Sequence, residues 1–144
     1  LLMSDHKIEE NLLKRDEVEA LLNRYLTEGP AVFEPFIAEE SRIISHGPNV
    51  APFTFSGEWR GLDGFREYMD NIWSNLELVD VKVDRVLHAD DTLIALTHQT
   101  WRQHLSGKTF TTPKAEISRF NGGKLVEFQE FWDPASALMA LKAD

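Results

Sequence analysis

Cysteine is absent from this sequence of 144 residues, and basic residues are few. Without cysteine the chain has no disulfide, no thiolate nucleophile and no sulfur-bound zinc, which favours a cytoplasmic location. Lys and Arg total 15 against 24 Asp and Glu, so the formal net charge is −9. Nucleic acid and anionic membrane surfaces are therefore disfavoured as partners, because both require a basic contact face.

Long apolar runs and common cofactor motifs are also lacking. No run approaches the ~18 residues that a membrane-spanning helix needs. The first five residues show no charged segment followed by an apolar core, so we expect no signal peptide. Glycine-rich nucleotide loops, serine-hydrolase elbows and metal-binding histidine spacings do not occur. We therefore predict no cofactor and no metal site.

The spacing of apolar residues predicts helices first and strands afterwards. A period of 3.6 predicts a helix over residues 16–27, with Asp16 as part of its cap. Pro30 can open a short second helix, and Asp63 is expected to cap a third. A first strand is predicted over residues 41–46, and the glycines and prolines of residues 47–57 predict a loop or loose hairpin.

After the third helix the apolar period changes to two, which predicts a meander of long strands. It begins near Val79, and a break in the alternation predicts a bulge near residues 84–85. Further strands are predicted over residues 92–105, 109–120 and 125–132, and then a short helix to Leu141. Helices gathered before a meander indicate an α+β fold with helices on one face of a curved sheet. Such a fold is cone-shaped and encloses a pocket.

Two segments carry a resemblance to a known group of proteins. The segments FSGEWRGLDGFREYM (residues 55–69) and RFNGGKLVEFQEFWDP (residues 119–134) resemble SnoaL-like and ketosteroid isomerase-like members of the nuclear transport factor 2-like superfamily. The resemblance extends over about residues 14–138. It implies one SnoaL-like domain over residues 1–144, with an N-terminal extension of about residues 1–13. The implied fold is a cone-shaped α+β barrel, with an antiparallel or mixed sheet wrapped around the N-terminal helices.

The resemblance also implies positions for a catalytic site. The segment EVEALLNRYL is similar to the first helix of ketosteroid isomerase and places Tyr25 at its oxyanion-binding tyrosine. His46 takes the position of the aspartate base, and Glu116 that of the buried aspartic acid that also binds the oxyanion. Asp133 follows an aromatic pair, as in many SnoaL-like proteins. Histidine and glutamate in place of two aspartates argue against steroid isomerisation itself.

Each of these residues also has a purely structural interpretation. Histidine is a common general base, so His46 can act as one, or it can be a turn residue facing solvent. Tyr25 lies on the apolar stripe of its helix and can donate to an oxyanion or to a backbone carbonyl. Glu116 can be a buried neutral acid or a surface glutamate paired across strands. Asp133 can be an acid or base at the pocket mouth or a helix cap.

Aromatic residues are expected mostly in the core, with a few lining the pocket. The residues that we predict to contact a ligand are Trp59, Trp73, Trp101, Phe131 and Trp132.

Three functions remain open from the sequence. The first is a cofactor-independent isomerase, cyclase or dehydratase (formally an isomerase or lyase) acting on a small apolar, polyketide-like or steroid-like ligand. There His46 would move the proton, and His46→Ala would abolish turnover. The second is an epoxide hydrolase, and the third a non-catalytic binding or interaction domain. Family resemblance and apolar residues on both faces of the late strands also predict a homodimer through the outer sheet face.

Overall fold

The structure is a computed structural model that describes residues 12–142, so residues 1–11 of the predicted N-terminal extension lie outside the described residues. Within this range four helical elements accompany a single six-stranded sheet, and one of them, α2, lies between the second and third strands. The helical elements are α1 (Arg15–Glu28), a 3₁₀ helix (Pro30–Phe36), α2 (Gly61–Trp73) and α3 (Pro134–Lys142). The strands are β1 (Ile37–Ser45), β2 (Gly57–Arg60), β3 (Leu76–Ala89), β4 (Thr92–Gln103), β5 (Thr109–Asn121) and β6 (Lys124–Phe131).

The sheet is mixed and strongly curved, as predicted. Its strand order is β2-β1-β6-β5-β4-β3. Only β1 and β6 run parallel among these neighbouring pairs. A register shift between Val83 and Arg85 confirms the predicted bulge. The sheet does not close, because β2 and β3 form its two edges, so the cone is an open one.

Two local predictions differ from the structure. The helices α1 and α2 begin at Arg15 and Gly61, so Asp16 and Asp63 lie within the first turn and are not the caps. Their negative charges still lie near the positive end of the helix dipole. At the end of the predicted loop and just beyond it, residues 57–60 form β2, which pairs with the end of β1.

The concave face of the sheet is covered by helices and forms the core. The side chains of β4 alternate, so that Leu93, Ala95 and Thr97 are buried inward while Ile94 and Leu96 face outward. Helix α1 contacts β3 and helix α2 contacts β1. In the described part of the chain, no helix has the length and apolar character to cross a membrane.

Candidate functional site

A cavity of about 130 Å³ lies between the N-terminal helices and the concave face of the sheet. Most of its wall is aliphatic or aromatic, and these apolar residues come both from the helical elements (α1, the 3₁₀ helix and α2) and from the strands. The polar lining residues are few and come largely from β5 and β6. They are Tyr25, Tyr68, Lys114, Glu116, Ser118 and Glu130. An apolar cavity with a few convergent polar groups is the usual form of a small-molecule site.

Strand register brings the charged residues of the wall together. Lys114 and Glu116 are two residues apart on β5 and therefore share its inner face. Glu130 on β6 lies opposite Glu116, and Ser45 on β1 lies opposite Glu130. Four residues from three neighbouring strands thus meet on one face.

Glu130 is the most fully enclosed member of this group, with 1% of the residue exposed. One carboxylate oxygen lies 2.7 Å from the Lys114 ammonium nitrogen. The other accepts hydrogen bonds of 2.5 Å from the Tyr68 hydroxyl and from the Ser45 hydroxyl. Burial acts to raise the pKa of Glu130, but the charge of Lys114 and these hydrogen bonds outweigh it and lower the pKa. Glu130 is therefore held as a carboxylate.

Glu116 has fewer partners and a different electrostatic state. Its carboxylate lies 3.6 Å from the Lys114 nitrogen and accepts a 3.3 Å hydrogen bond from the Gln99 amide. Burial raises the pKa of Glu116, and the neighbouring Glu130 carboxylate adds to the rise, against the opposing effect of Lys114. Its side chain keeps 14% of its surface accessible and lines the cavity. A carboxyl with a raised pKa in contact with a cavity is suited to proton transfer with a ligand there.

Lys114 lies between the two carboxylates. Burial acts to lower its pKa, but Glu130 and Glu116 outweigh this effect and the pKa is raised. The amine is therefore held as a cation and cannot serve as a nucleophile. With Glu116 ionised the three groups carry a net charge of −1, and uptake of one proton by Glu116 makes them neutral.

Tyr25 presents a hydroxyl with an available proton at the cavity. Its oxygen accepts a 3.0 Å hydrogen bond from the Trp73 indole, and the acceptor that residues 12–142 offer its own proton is the Met69 sulfur at 3.7 Å. Thioether sulfur is a weak acceptor, so an oxygen in the cavity would compete well for that proton. Burial raises the pKa of Tyr25, which keeps the hydroxyl protonated.

His46 does not reach this cavity. It follows Ser45, whose side chain points inward, and its own ring is exposed on the outer side of the sheet. There it stacks on Phe131 with ring centroids 4.3 Å apart and lies 3.0 Å from the Gln129 amide oxygen. The expected meeting of His46 with Tyr25 and Glu116 is therefore not found, because successive strand residues point to opposite faces.

Asp133 also lies away from the cavity wall. Its carboxylate accepts hydrogen bonds from the backbone N–H and the hydroxyl of Ser136, at 3.1 and 2.6 Å. These bonds lower the pKa of Asp133. This geometry corresponds to the structural interpretation of Asp133, a cap at the start of α3.

The predicted ligand-contacting aromatics divide between several environments. Trp101 lines the cavity, and Trp73 stands behind Tyr25 as its hydrogen-bond donor. Trp132 lines a second, smaller cavity of about 20 Å³. Trp59 donates to the carbonyl of residue 55, and Phe131 is 43% exposed beside His46. Among the described residues, no group of three or more His, Asp or Glu side chains could hold a metal ion.

Sequence reasoning missed Lys114, Glu130 and Tyr68. Glu130 alternates with Phe128 and Trp132, so a carboxylate stands between two aromatics on one face of a strand. Lys114 has the same parity as Glu116, which was expected to face inward. A charged residue on the apolar face of a strand needs a partner, and this pattern is the signal in the sequence that could have found the pair.

Comparisons with known proteins identify relatives of this chain by sequence profile and by fold. The family model described as "SnoaL-like domain" matches residues 18–128. A comparison with curated protein sequences gives no significant match. Three similar solved structures illustrate the fold.

A candidate isomerase from Rhodopseudomonas palustris is 15% identical, with a TM-score of 0.73 and coverage of 85% of this chain and 91% of its own. A ketosteroid isomerase-like protein from Catenulispora acidiphila, solved with trimethylamine, is 15% identical, with a TM-score of 0.72 over 93% of each chain. A candidate SnoaL-like polyketide cyclase from Jannaschia is 17% identical, with a TM-score of 0.67 over 88% and 92%. At these identities the similarity establishes the fold alone.

Proposed function

Because the chain belongs to the SnoaL-like domain family, we propose that it is a cofactor-independent enzyme that moves a proton within a small ligand. The reaction class is isomerisation, cyclisation or dehydration in the apolar cavity. The observation that carries this proposal is the placement of Glu116, a carboxyl of raised pKa, at the cavity wall beside Lys114. Structural neighbours named as candidate isomerase and candidate polyketide cyclase support the same class.

In this proposal Glu116 is the proton carrier. Its carboxylate removes a proton from a carbon beside a carbonyl group, and the electron pair of that C–H bond forms an enolate. In an isomerisation the same proton returns to a different carbon and the double bond shifts, so the oxidation level does not change. Lys114 remains a cation throughout and offsets part of the negative charge that the reaction places near β5.

Tyr25 is proposed to donate its hydrogen bond to the enolate oxygen. The Trp73 indole occupies the hydroxyl oxygen, so the tyrosine proton is the group that can face a ligand. Because the pKa of Tyr25 is raised, the hydroxyl donates without losing its proton to the enolate. His46 and Asp133 stay predictions from the resemblance, and the proposed steps do not require them.

We expect Tyr25→Phe to lower the turnover number by about 10²–10³-fold, the usual loss when one oxyanion donor is removed. The probe is cyclohex-3-en-1-one, whose isomerisation to the conjugated enone is followed by ultraviolet absorbance. Thermal unfolding of the variant serves as the control, because the change also removes the acceptor of the Trp73 indole and any loss of stability must be separated from the loss of the donor. The proposal fails if the wild-type protein neither isomerises this ketone nor speeds exchange of its α-hydrogens in D₂O above the buffer rate.

Two other functions fit the cavity less well. Epoxide opening of the kind considered above needs aspartates and an arginine around a water, and the cavity lining within residues 12–142 contains neither residue type. A non-catalytic binding domain would leave Glu116 without a role in any reaction. It would therefore bind the ketone without exchanging its α-hydrogens.

We also propose a homodimer that packs through the outer face of the sheet. On that face Ile94 pairs with Ile117 and Leu96 pairs with Ala115, and Ala115 lies beside Phe131. These residues are half-buried or exposed, and in the described part of the chain they form an apolar patch across three strands. Such a patch in a globular domain favours association.

Leu96→Glu should convert this dimer to a monomer, because two carboxylates would meet in an apolar interface. Sedimentation equilibrium at micromolar protein should then give a mass near 16.5 kDa per particle. Ala20→Glu, a matched change on the exposed side of α1, should leave the dimer intact. A wild-type protein that is already monomeric under these conditions would rule out the interface.

A further inference from the structure

We propose that the cavity is built for a neutral ligand of about one ring, with a single hydrogen-bonding oxygen directed at Tyr25, and not for a polycyclic or charged ligand. This inference rests on the proposed function only for the direction of the oxygen. It replaces the broader ligand class expected from the resemblance, polyketide-like or steroid-like compounds, by compounds of about one ring. Three observations carry it: the size of the cavity, the distribution of its polar groups and the pairing of its charges.

The size of the cavity limits the ligand. Its volume is about 130 Å³. For comparison, an apolar protein cavity of about 150 Å³ accommodates a benzene molecule. A single six-membered ring with one or two small substituents therefore fits, whereas a fused four-ring skeleton exceeds the space several times over. Close packing makes such an excess costly, because core side chains must leave their rotamers.

The polar groups lie on a limited part of the wall. Lys114, Glu116, Ser118 and Glu130 come from two neighbouring strands, and the remaining lining is apolar apart from the two tyrosines. A ligand with polar groups at both ends would bury one of them against aliphatic side chains without a hydrogen bond, which is unfavourable. One polar end and one apolar body match this wall.

The positive charge of Lys114 in the wall is already paired with carboxylates. The Lys114 ammonium lies 2.7 Å from a Glu130 oxygen and 3.6 Å from a Glu116 oxygen, so no positive charge is left for an anionic ligand. The lining within the described residues includes no arginine and no second lysine. An anion would add a third negative charge to the site. A cationic ligand would compete with the Lys114 ammonium for the Glu116 carboxylate. Protonation of Glu116 neutralises the three charged groups without such a ligand.

The remaining polar contact favours a ligand with an acceptor oxygen. Tyr25 has a proton whose acceptor, within the part of the chain that the structure describes, is the weak Met69 sulfur, and its oxygen is occupied by the Trp73 indole. A carbonyl oxygen offers that proton a stronger acceptor and itself needs no proton from the wall. A neutral ring ketone or enone therefore fits the size of the cavity, the position of its polar groups, its charges and the hydroxyl proton of Tyr25.

The test is a series of defined probes titrated into the full chain and followed by the NMR signal of the Trp101 indole N–H. Trp101 lines the cavity, so its signal locates the binding. The charge series is cyclohex-2-en-1-one, cyclohexanecarboxylate and cyclohexylammonium, which share one ring and differ in charge. The size series replaces the first compound by a two-ring enone and by a four-ring steroid enone.

We expect cyclohex-2-en-1-one to bind at least about tenfold more tightly than either charged analogue and than the four-ring enone. Equal or tighter binding of the carboxylate, the ammonium or the four-ring compound would overturn the proposal. So would titration of the neutral ketone without any shift of the Trp101 signal.

A variant tests the size limit independently. Phe128 lines the cavity and is only half-buried, so Phe128→Ala should enlarge the site with modest loss of stability. We expect the preference to move from the one-ring to the two-ring enone. An unchanged size preference in a folded Phe128→Ala would contradict the size argument, and if this variant does not fold, the wild-type series decides alone.

The outcomes separate this inference from the proposed function. Selective binding of the one-ring ketone without exchange of its α-hydrogens in D₂O would refute the proposed catalysis and uphold the ligand class. Exchange of the α-hydrogens of a bound four-ring ketone would uphold the proposed catalysis and refute the ligand class.

Discussion

Replacing Lys114 with methionine should lower the free energy of unfolding by about 3–5 kcal/mol near pH 7, the usual cost of removing one partner from a buried ion pair. Methionine keeps much of the aliphatic volume, so the loss reflects charge. Glu130, with 1% of its surface exposed, would lose the ammonium 2.7 Å from its oxygen and keep only the hydroxyls of Tyr68 and Ser45.

The pH dependence of this loss has a definite sign. In the wild-type protein the lowered pKa of Glu130 gives stability that is present above its ordinary value of 4.5 and lost as pH falls through the lowered pKa. Without Lys114 the carboxylate becomes unfavourable, and protonation relieves it. The deficit of Lys114→Met should therefore shrink as the pH falls toward 4 and below, as read by urea unfolding across pH.

The matched control is Lys82→Met, which removes a lysine whose side chain is 75% exposed. Exposed lysines contribute little to stability, so this change should stay within about 0.5 kcal/mol. A loss below about 1 kcal/mol in Lys114→Met at pH 7 would mean that Glu130 is neither buried nor dependent on the lysine.

The second large effect concerns Glu116. Glu116→Gln should reduce turnover of cyclohex-3-en-1-one by about 10²–10⁴-fold, the range for loss of a general base. Glutamine keeps the shape and the contact with Gln99, so the binding of cyclohex-2-en-1-one should change little. A loss of turnover without a loss of binding identifies a group that acts in the transition state.

The stability of Glu116→Gln should not fall with its activity. The raised pKa of Glu116 means that its stabilising contribution is present below the ordinary value of 4.5 and is lost as pH rises through the raised value. Above that value the wild-type protein contains an unfavourable buried charge. Glu116→Gln removes this charge and should unfold at the same or a higher temperature near pH 8.

The pH profile of wild-type turnover provides an independent check. Because the base must be ionised, activity should rise with pH through the raised pKa of Glu116, above 4.5. Glu28→Gln, a matched change in an exposed ion pair with Arg24 on α1, should leave this profile unchanged. Full turnover in Glu116→Gln, or a variant that fails only by unfolding, would assign Glu116 a structural role.

Secondary structure and the strand face of one candidate side chain could be predicted from the sequence because both depend on local periodicity. Apolar spacing in α1 and alternation in β5 are properties of neighbouring residues. Alternation groups Glu116 with Thr112 and Phe120 on one face of β5, and the structure turns this face toward the core and the cavity, a direction that the sequence leaves open.

The orientation of His46 could not be predicted from the alternation of apolar residues. Two isoleucines, Ile43 and Ile44, stand together in β1, so either face of the strand could be the buried one. The structure buries Ile43 and Ser45, which turns His46 outward. Phe131 and Trp132 present the same ambiguity at the end of β6, and only Trp132 points inward.

By itself the sequence determined the order of the elements other than β2, the bulge in β3, the absence of cysteine and the family of the chain. Tertiary structure alone decided which ionisable groups share a site. Lys114, Glu130, Ser45 and Tyr68 come from three strands and a helix, and their meeting depends on the pairing of β1 with β6 and of β6 with β5. A turn joins β5 to β6 and helps to set their register, but no turn joins β1 to β6, so their parallel pairing depends on the tertiary fold.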